Sequence, residues 1–153
     1  MAGRGTPRTV DELLAQARAM LPHRPSPAEA LRAQARGALL VDIRSDDQRH
    51  DGLIPGAIVL PRSSLAWRCG PAPQRRHPAI TGPDLRIILA CDQGCQSGPA
   101  AAALHRFGLI RATDLDGGSA AWAAAGLPVI APAASWPGPI RGSRLSGRVA
   151  RTA

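Results

Sequence analysis

Lysine is absent from this chain. All 19 basic residues are arginine, and the aromatic side chains are limited to Phe107, Trp67, Trp122 and Trp136. With so few rings, a core must be built from Ala, Leu, Ile and Val, which favours helices packed closely on a sheet. The Arg bias accompanies heavy use of Ala, Gly and Pro, the mark of a GC-rich genome. No apolar stretch approaches the ~18 residues that a membrane span requires, and no apolar segment of signal-peptide type opens the chain. These absences lead us to expect a soluble, cytoplasmic protein with no membrane partner. Acidic residues are missing from Ala133 to Ala153, whereas Arg141, Arg144, Arg148 and Arg151 fall there and supply half of the net charge of +8. Spaced arginines without interleaved aromatics predict a flexible, solvated basic tail over 132–153, and nucleic acid is not an expected partner. Only three cysteines are present, Cys69, Cys91 and Cys95. In a reducing compartment such thiols are reactive or buried rather than paired. One Cys-x3-Cys spacing with no positioned His (His23, His50, His77 and His105) matches no usual zinc site, so neither a metal nor a cofactor is expected.

The 153 residues suffice for one domain. Residues 1–8 are Gly/Pro/Arg-rich and predict a disordered start. Thr9-Val10-Asp11-Glu12 has the form of a capping box opening a helix that runs to about Leu21. Ser26-Pro27-Ala28-Glu29 repeats the signal for a second helix to Arg36, with Pro at the first helical position and Gly37 as the stop. Ala38–Ile43 is a continuous apolar run, as in a strand buried on both faces of a parallel sheet. Further strands are expected over Ala57–Leu60, Leu85–Cys91 and Ala112–Leu115. Helical pieces are expected at Ser63–Arg68, at Gly98–Phe107 with Ala101, Leu104 and Phe107 on one face, and at Ser119–Ala125. Gly70–Pro83 reads as an exposed Pro-rich loop. This alternation predicts an α/β fold over 9–131, with a mostly parallel central sheet, helices on both faces and an extra N-terminal helix.

In open sheets of this kind, functional sites lie beyond the carboxyl ends of the strands. Cys91 stands at such an end, as do Asp42 and Arg44. The residues after Cys91 form a short loop, Asp92-Gln93-Gly94-Cys95-Gln96-Ser97, that opens onto a helix with Pro99 near its start. Backbone N–H groups in such a loop, together with the positive end of the helix, can stabilise a thiolate. Read by itself, the position also suits a buried, inert thiol. Asp42 reads as a group that fixes neighbouring loops, with Arg44 as its partner, and Trp122 as a plug in the core.

Cys91-Asp92-Gln93-Gly94-Cys95-Gln96-Ser97 resembles the active-site loop of rhodanese-like domains, Cys-x-x-Gly-x-Arg-Ser. Leu40-Val41-Asp42-Ile43-Arg44 is similar to the family's first strand motif, and Gly52-Leu53-Ile54-Pro55-Gly56-Ala57 to its Gly-His-Ile-Pro-Gly-Ala turn. Gly117-Gly118-Ser119-Ala120-Ala121-Trp122 with Gly126-Leu127-Pro128-Val129 is similar to its closing signature. The four motifs occur in the family's order across roughly 26–131. Trp67-Arg68-Cys69 is similar to a segment of a bacterial single-domain subgroup with a helical N-terminal extension. The resemblance implies a sulfurtransferase in which Cys91 carries sulfane sulfur as a persulfide, held by the loop from Asp92 to Ser97. A small-molecule donor would supply the sulfur, and a thiol, cyanide or a protein thiol would accept it. Gln96 replaces the family's Arg, Leu53 its His, and Asp92 adds an acid. Arg44 and Arg68 are therefore the candidates for a compensating cation, and thiosulfate is a doubtful donor. The rival reading is a weakly active or inactive binding or redox-sensing module that uses Cys91 and Cys95. Related phosphatases carry Cys-x5-Arg; here that position is Ser97.

Overall fold

The computed structural model describes residues 5–131; the basic tail expected over 132–153 lies outside the described residues. Five helices and four strands follow in the order α1 (Val10–Met20), α2 (Pro27–Ala35), β1 (Leu39–Asp42), β2 (Ile58–Val59), α3 (Arg62–Cys69), β3 (Ile87–Ala90), α4 (Ser97–Leu104), β4 (Ala112–Asp114) and α5 (Gly118–Ala124). Both expected capping boxes are present. Thr9 Oγ1 accepts from Glu12 N at 3.2 Å while Glu12 Oε2 accepts from Thr9 N at 2.7 Å. Ser26 and Glu29 repeat the exchange ahead of α2, at 3.3 and 2.8 Å. The hydrogen bond from Ser26 N, joined by one from His23, lowers the Glu29 carboxyl to about 2.

The sheet has the order β2-β1-β3-β4, and every pairing in it is parallel. Successive side chains of the inner strands point to opposite faces, so each apolar run feeds two cores. Val41, Ile87 and Leu89 face α3 and α4, where Leu65, Cys69, Ala101 and Leu104 meet them. Leu40, Ile88 and Ala90 face α2 and α5, where Ala30, Ala33 and Trp122 close the second layer. Helices therefore cover both faces, as expected. Trp122 is 1% exposed and donates its indole N–H to Pro128 O at 2.9 Å.

Phe107 departs from its expected place on the buried face of α4. The α-helix ends at Leu104 and residues 105–107 tighten into a 3-10 turn, whose different pitch swings the ring outward, leaving it 36% exposed.

The N-terminal extension belongs to the fold. α1 packs along α4, and the connector to α2 runs beside the edge strand β4. There the Thr113 hydroxyl reaches Pro22 O and His23 O, and Asp116 N donates to Pro25 O. No helix among the described residues is long and apolar enough to cross a membrane.

Candidate active site

Asp42 and Cys91 follow from one architectural fact: β1 and β3 are adjacent and parallel, so their carboxyl ends meet at one edge of the sheet. Asp42 and Arg44, both 1% exposed, form a buried pair. Arg44 Nε and Nη2 hold both carboxylate oxygens of Asp42 at 2.8–3.2 Å. Nη1 reaches Gln48 O and Asp51 Oδ1, and Nη2 also reaches Gly52 O. Burial opposes the Arg44 charge, but the hydrogen bonds and charge of Asp42, backed by Asp51, raise its pKa above the ordinary value. The guanidinium thus locks the segment from Gln48 to Gly52, as expected for Asp42. Its N–H groups are committed inward, so Arg44 is not the compensating cation that the sequence suggested.

Arg68 is not that cation either. It lies on the last turn of α3 and donates to Arg75 O at 3.0 Å, and it does not line the cavity in front of Cys91. That cavity, about 170 Å³, is bounded by Gln48, Cys91, Asp92, Gln93, Cys95 and Gln96. A cleft of about 540 Å³ lies at the opposite, amino ends of the strands, away from the thiol.

Cys91 is 5% exposed and Cys95 is exposed at the rim. Gly94, with φ +81°, turns its N–H onto Cys91 Sγ at 3.1 Å, a backbone conformation that favours glycine. The expected ring of amides is met at Sγ by this one donor; the amides of Asp92, Gln93 and Cys95 make no hydrogen bond to the described residues. The orientation of the Asp92 and Gln93 amides follows from the carbonyls that precede them, which α5 draws the other way. Ser119 N donates to Cys91 O at 2.8 Å and Ala120 N to Asp92 O at 3.0 Å. The Gly117-Gly118 pair, expected only as a tight turn, is the platform for this contact. A Cβ on Gly118 (φ +65°) would stand 2.5 Å from Cys91 O and 2.7 Å from Gly94 N.

Behind the thiol runs a chain of buried polar groups. Cys91 Sγ is 3.3 Å from Ser97 Oγ, and Ser97 Oγ donates to Asp114 Oδ2 at 3.0 Å. Asp114, fully buried, accepts from Arg24 Nε at 2.6 Å and Nη2 at 3.1 Å, and Arg24 also pairs with Asp116. Hydrogen bonding to Asp114, assisted by the charges of Asp114 and Asp116, raises the Arg24 pKa against the cost of burial. A serine hydroxyl has one proton. With that hydrogen directed at Asp114, Ser97 Oγ turns its lone pairs to Cys91 Sγ and has no proton left to donate to it.

Two arginines of the extension therefore reach the site, neither of them among the residues expected from the sequence. Arg18 Nη2 donates to Gly94 O at 3.1 Å. A signal was present: Leu14 and Arg18 are spaced to share one face of α1, and both pack on Gly98. For Asp114 and Arg24, 90 residues apart, no local pattern could have joined them. The third cysteine, Cys69, is buried in the α3 layer; burial pushes its thiol up to about 11 against the opposing charges of Arg76 and Arg68. Among the described residues, no group of three or more His, Cys, Asp or Glu could hold a metal ion.

Comparisons with known proteins agree with this architecture. The chain is 35% identical over 100 residues to a protein from Allochromatium vinosum named a sulfurtransferase, a match covering 65% of this chain and 85% of the relative. A solved structure from Rhodopseudomonas palustris, described as a protein of unknown function and possible tyrosine phosphatase, superposes with a TM-score of 0.73. It is 26% identical, covering 84% of this chain and 99% of that one. A rhodanese-related protein from Thermoplasma volcanium shares the fold at a TM-score of 0.56 and 23% identity, covering 72% of this chain and 100% of its own. The family model of the Rhodanese-like domain matches residues 26–125, and with the loop, the double-glycine platform and the parallel sheet in place, the chain belongs to the rhodanese-like domain family.

Proposed function

We propose that this protein is a sulfurtransferase that moves sulfane sulfur from a donor to a thiophilic acceptor through a persulfide on Cys91. The observation that carries the reading is the loop itself. Its carbonyls at Cys91 and Asp92 are turned onto α5 while Gly94 N–H points at Sγ. A sulfur anion at Sγ thus has the Gly94 N–H as its donor, with the Cys91 and Asp92 carbonyls turned away onto α5. Loading from an organic persulfide forms the Sγ–S bond and releases the donor thiolate; loading from thiosulfate releases sulfite. In the return step the acceptor attacks the outer sulfur and Cys91 departs as thiolate. Asp92 to Ser97 hold the persulfide, and Asp42 with Arg44 fixes the neighbouring segment. The relative's name as a sulfurtransferase supports the same chemistry. A reducing cytoplasm would keep Cys91 as the free thiol that loading requires, and the unit that performs the transfer spans residues 9–131.

The cavity lining contains no cation and one carboxylate, Asp92. A singly charged organic persulfide is therefore the better donor and thiosulfate the poorer. Phosphatase chemistry is disfavoured because Ser97, not Arg, stands at the sixth position after Cys91. The exposed Cys95 on the same cavity favours one second reading, a redox-sensing module with a Cys91–Cys95 disulfide. Intact-mass measurement separates these readings. Incubation with a persulfide donor should add about 32 Da, one sulfur, in the wild type but not in Cys91→Ser. No adduct from any donor would refute the transferase, and a loss of about 2 Da on mild oxidation would mark the disulfide.

A further inference from the structure

Two of the three aromatic residues among those described stand on the surface, and they stand together. Trp67 is 61% exposed and Phe107 36%. With Ala66, Pro71 and Ala72 they line an apolar hollow of about 570 Å³, and Arg75 lies over the Trp67 ring at 5.1 Å from its centroid. Ala66 and Phe107 also line a second hollow of about 410 Å³, which continues between α3 and α4 past Arg62 and Arg106 to Pro99 and Ala100. Pro99 and Ala100 lie in the first turn of α4, directly after the loop that carries Cys91. At the same end, Arg62 N donates to Ile43 O just beyond β1. The groove thus starts beside the reactive edge of the sheet and ends at the tryptophan.

From this groove we infer that the sulfur acceptor includes a protein: an acidic partner with an apolar face, docked between α3 and α4 so that its thiol reaches Cys91. This rests on the persulfide reading above. The argument is charge complementarity joined to continuity with the site. Arg62, Arg75 and Arg106 rim the two hollows, and neither hollow is lined by an acidic residue. Exposed tryptophan flanked by arginine is the composition of interface centres. Carboxylates on a partner would speed encounter, and misplaced basic partners would be repelled. This chain's own C-terminal tail, with its four arginines and no acid, has the wrong charge for the groove. Transfer is balanced within the pair. The partner thiolate attacks the outer sulfur, the new S–S bond forms on the partner, and the Sγ–S bond breaks to return Cys91 as thiolate.

The probes are two short synthetic amphipathic helical peptides ending in Cys, one with Glu on its polar face and one with Lys. Their binding to the Cys91→Ser protein is read by fluorescence anisotropy. The Glu peptide should bind at least about tenfold tighter than the Lys peptide. Trp67→Ala should weaken it about tenfold, and Arg62→Glu with Arg106→Glu should reverse the preference. With sulfur-loaded protein, these variants should slow transfer to the Glu peptide about tenfold and leave transfer to dithiothreitol unchanged. Equal binding of the two peptides, or variants that slow dithiothreitol equally, would overturn the docking surface. If no donor loads Cys91 while the peptide preference holds, the persulfide reading fails and the surface stands.

Discussion

Asp114→Asn tests the buried chain behind Cys91 with two readouts that point in opposite directions. Asp114 is fully buried and accepts three hydrogen bonds, one from Ser97 and two from Arg24. Breaking a buried charge pair costs about 3–5 kcal/mol. The Arg24 side chain keeps 20% exposure and its second partner, Asp116, so the loss in folding stability should be nearer 2–3 kcal/mol by urea denaturation. The reactivity of Cys91 should rise at the same time. Contacts of 3.3 and 3.0 Å place the carboxylate within about 6 Å of Sγ, where like charges repel by about 3 kcal/mol at an effective dielectric of about 20. Solvent and Arg24 reduce that, and removing the charge also frees the Ser97 proton to turn toward a thiolate. Alkylation of Cys91 by iodoacetamide, followed by peptide mass at a fixed mildly acidic pH, should accelerate about tenfold, equivalent to about 1.4 kcal/mol. Arg24→Gln removes the charge of opposite sign and should slow it. A less stable protein with faster alkylation in one variant and slower in the other is the signature of an electrostatic chain. If both variants alkylate at the wild-type rate, or both change in the same direction, Asp114 and Arg24 merely hold the connector on β4 and the reasoning is wrong.

Arg44→Gln strands the Asp42 carboxylate inside the protein, and the unfolding free energy should fall by about 3–5 kcal/mol in denaturant titrations. Gly118→Ala drives a methyl group into the backbone of the Cys91 loop, so sulfur loading of Cys91 should be lost even where circular dichroism shows retained helix. Cys69, with its thiol pushed up to about 11 from 9.0, is neutral in the fold where the unfolded chain has already ionised it. Its contribution is whole below about pH 9 and is lost as pH rises through about 11, so Cys69→Ala should flatten the alkaline decline of stability in that window.

The parts of this protein written in contiguous residues were legible. Two capping boxes, four apolar runs and the glycine-bearing loop each encode their own local structure, and their order led to the parallel sheet. Asp42 and Arg44 were also legible, because two residues at one strand end have few partners except each other. What the sequence hid was action at a distance. Arg18, 76 residues before Gly94, and Arg24, 90 residues before Asp114, become neighbours only when α1 lies on α4 and the connector on β4. The two cations expected to reach the loop from neighbouring segments, Arg44 and Arg68, proved to be fastened elsewhere. Phe107 was misplaced for a different reason: one 3-10 turn at the end of a helix changes which side a residue three positions later faces.

The placement of Arg18 and Arg24 also redraws the boundary of the module. The family match begins at residue 26, after both arginines, so a fragment cut to the shared domain would keep Cys91 and discard the grip on Gly94 and the counter-charge of Asp114. Substitutions in that N-terminal segment should therefore be felt at Cys91, and grafting this loop onto another family scaffold would leave behind Arg18 and Arg24, which hold Gly94 and Asp114.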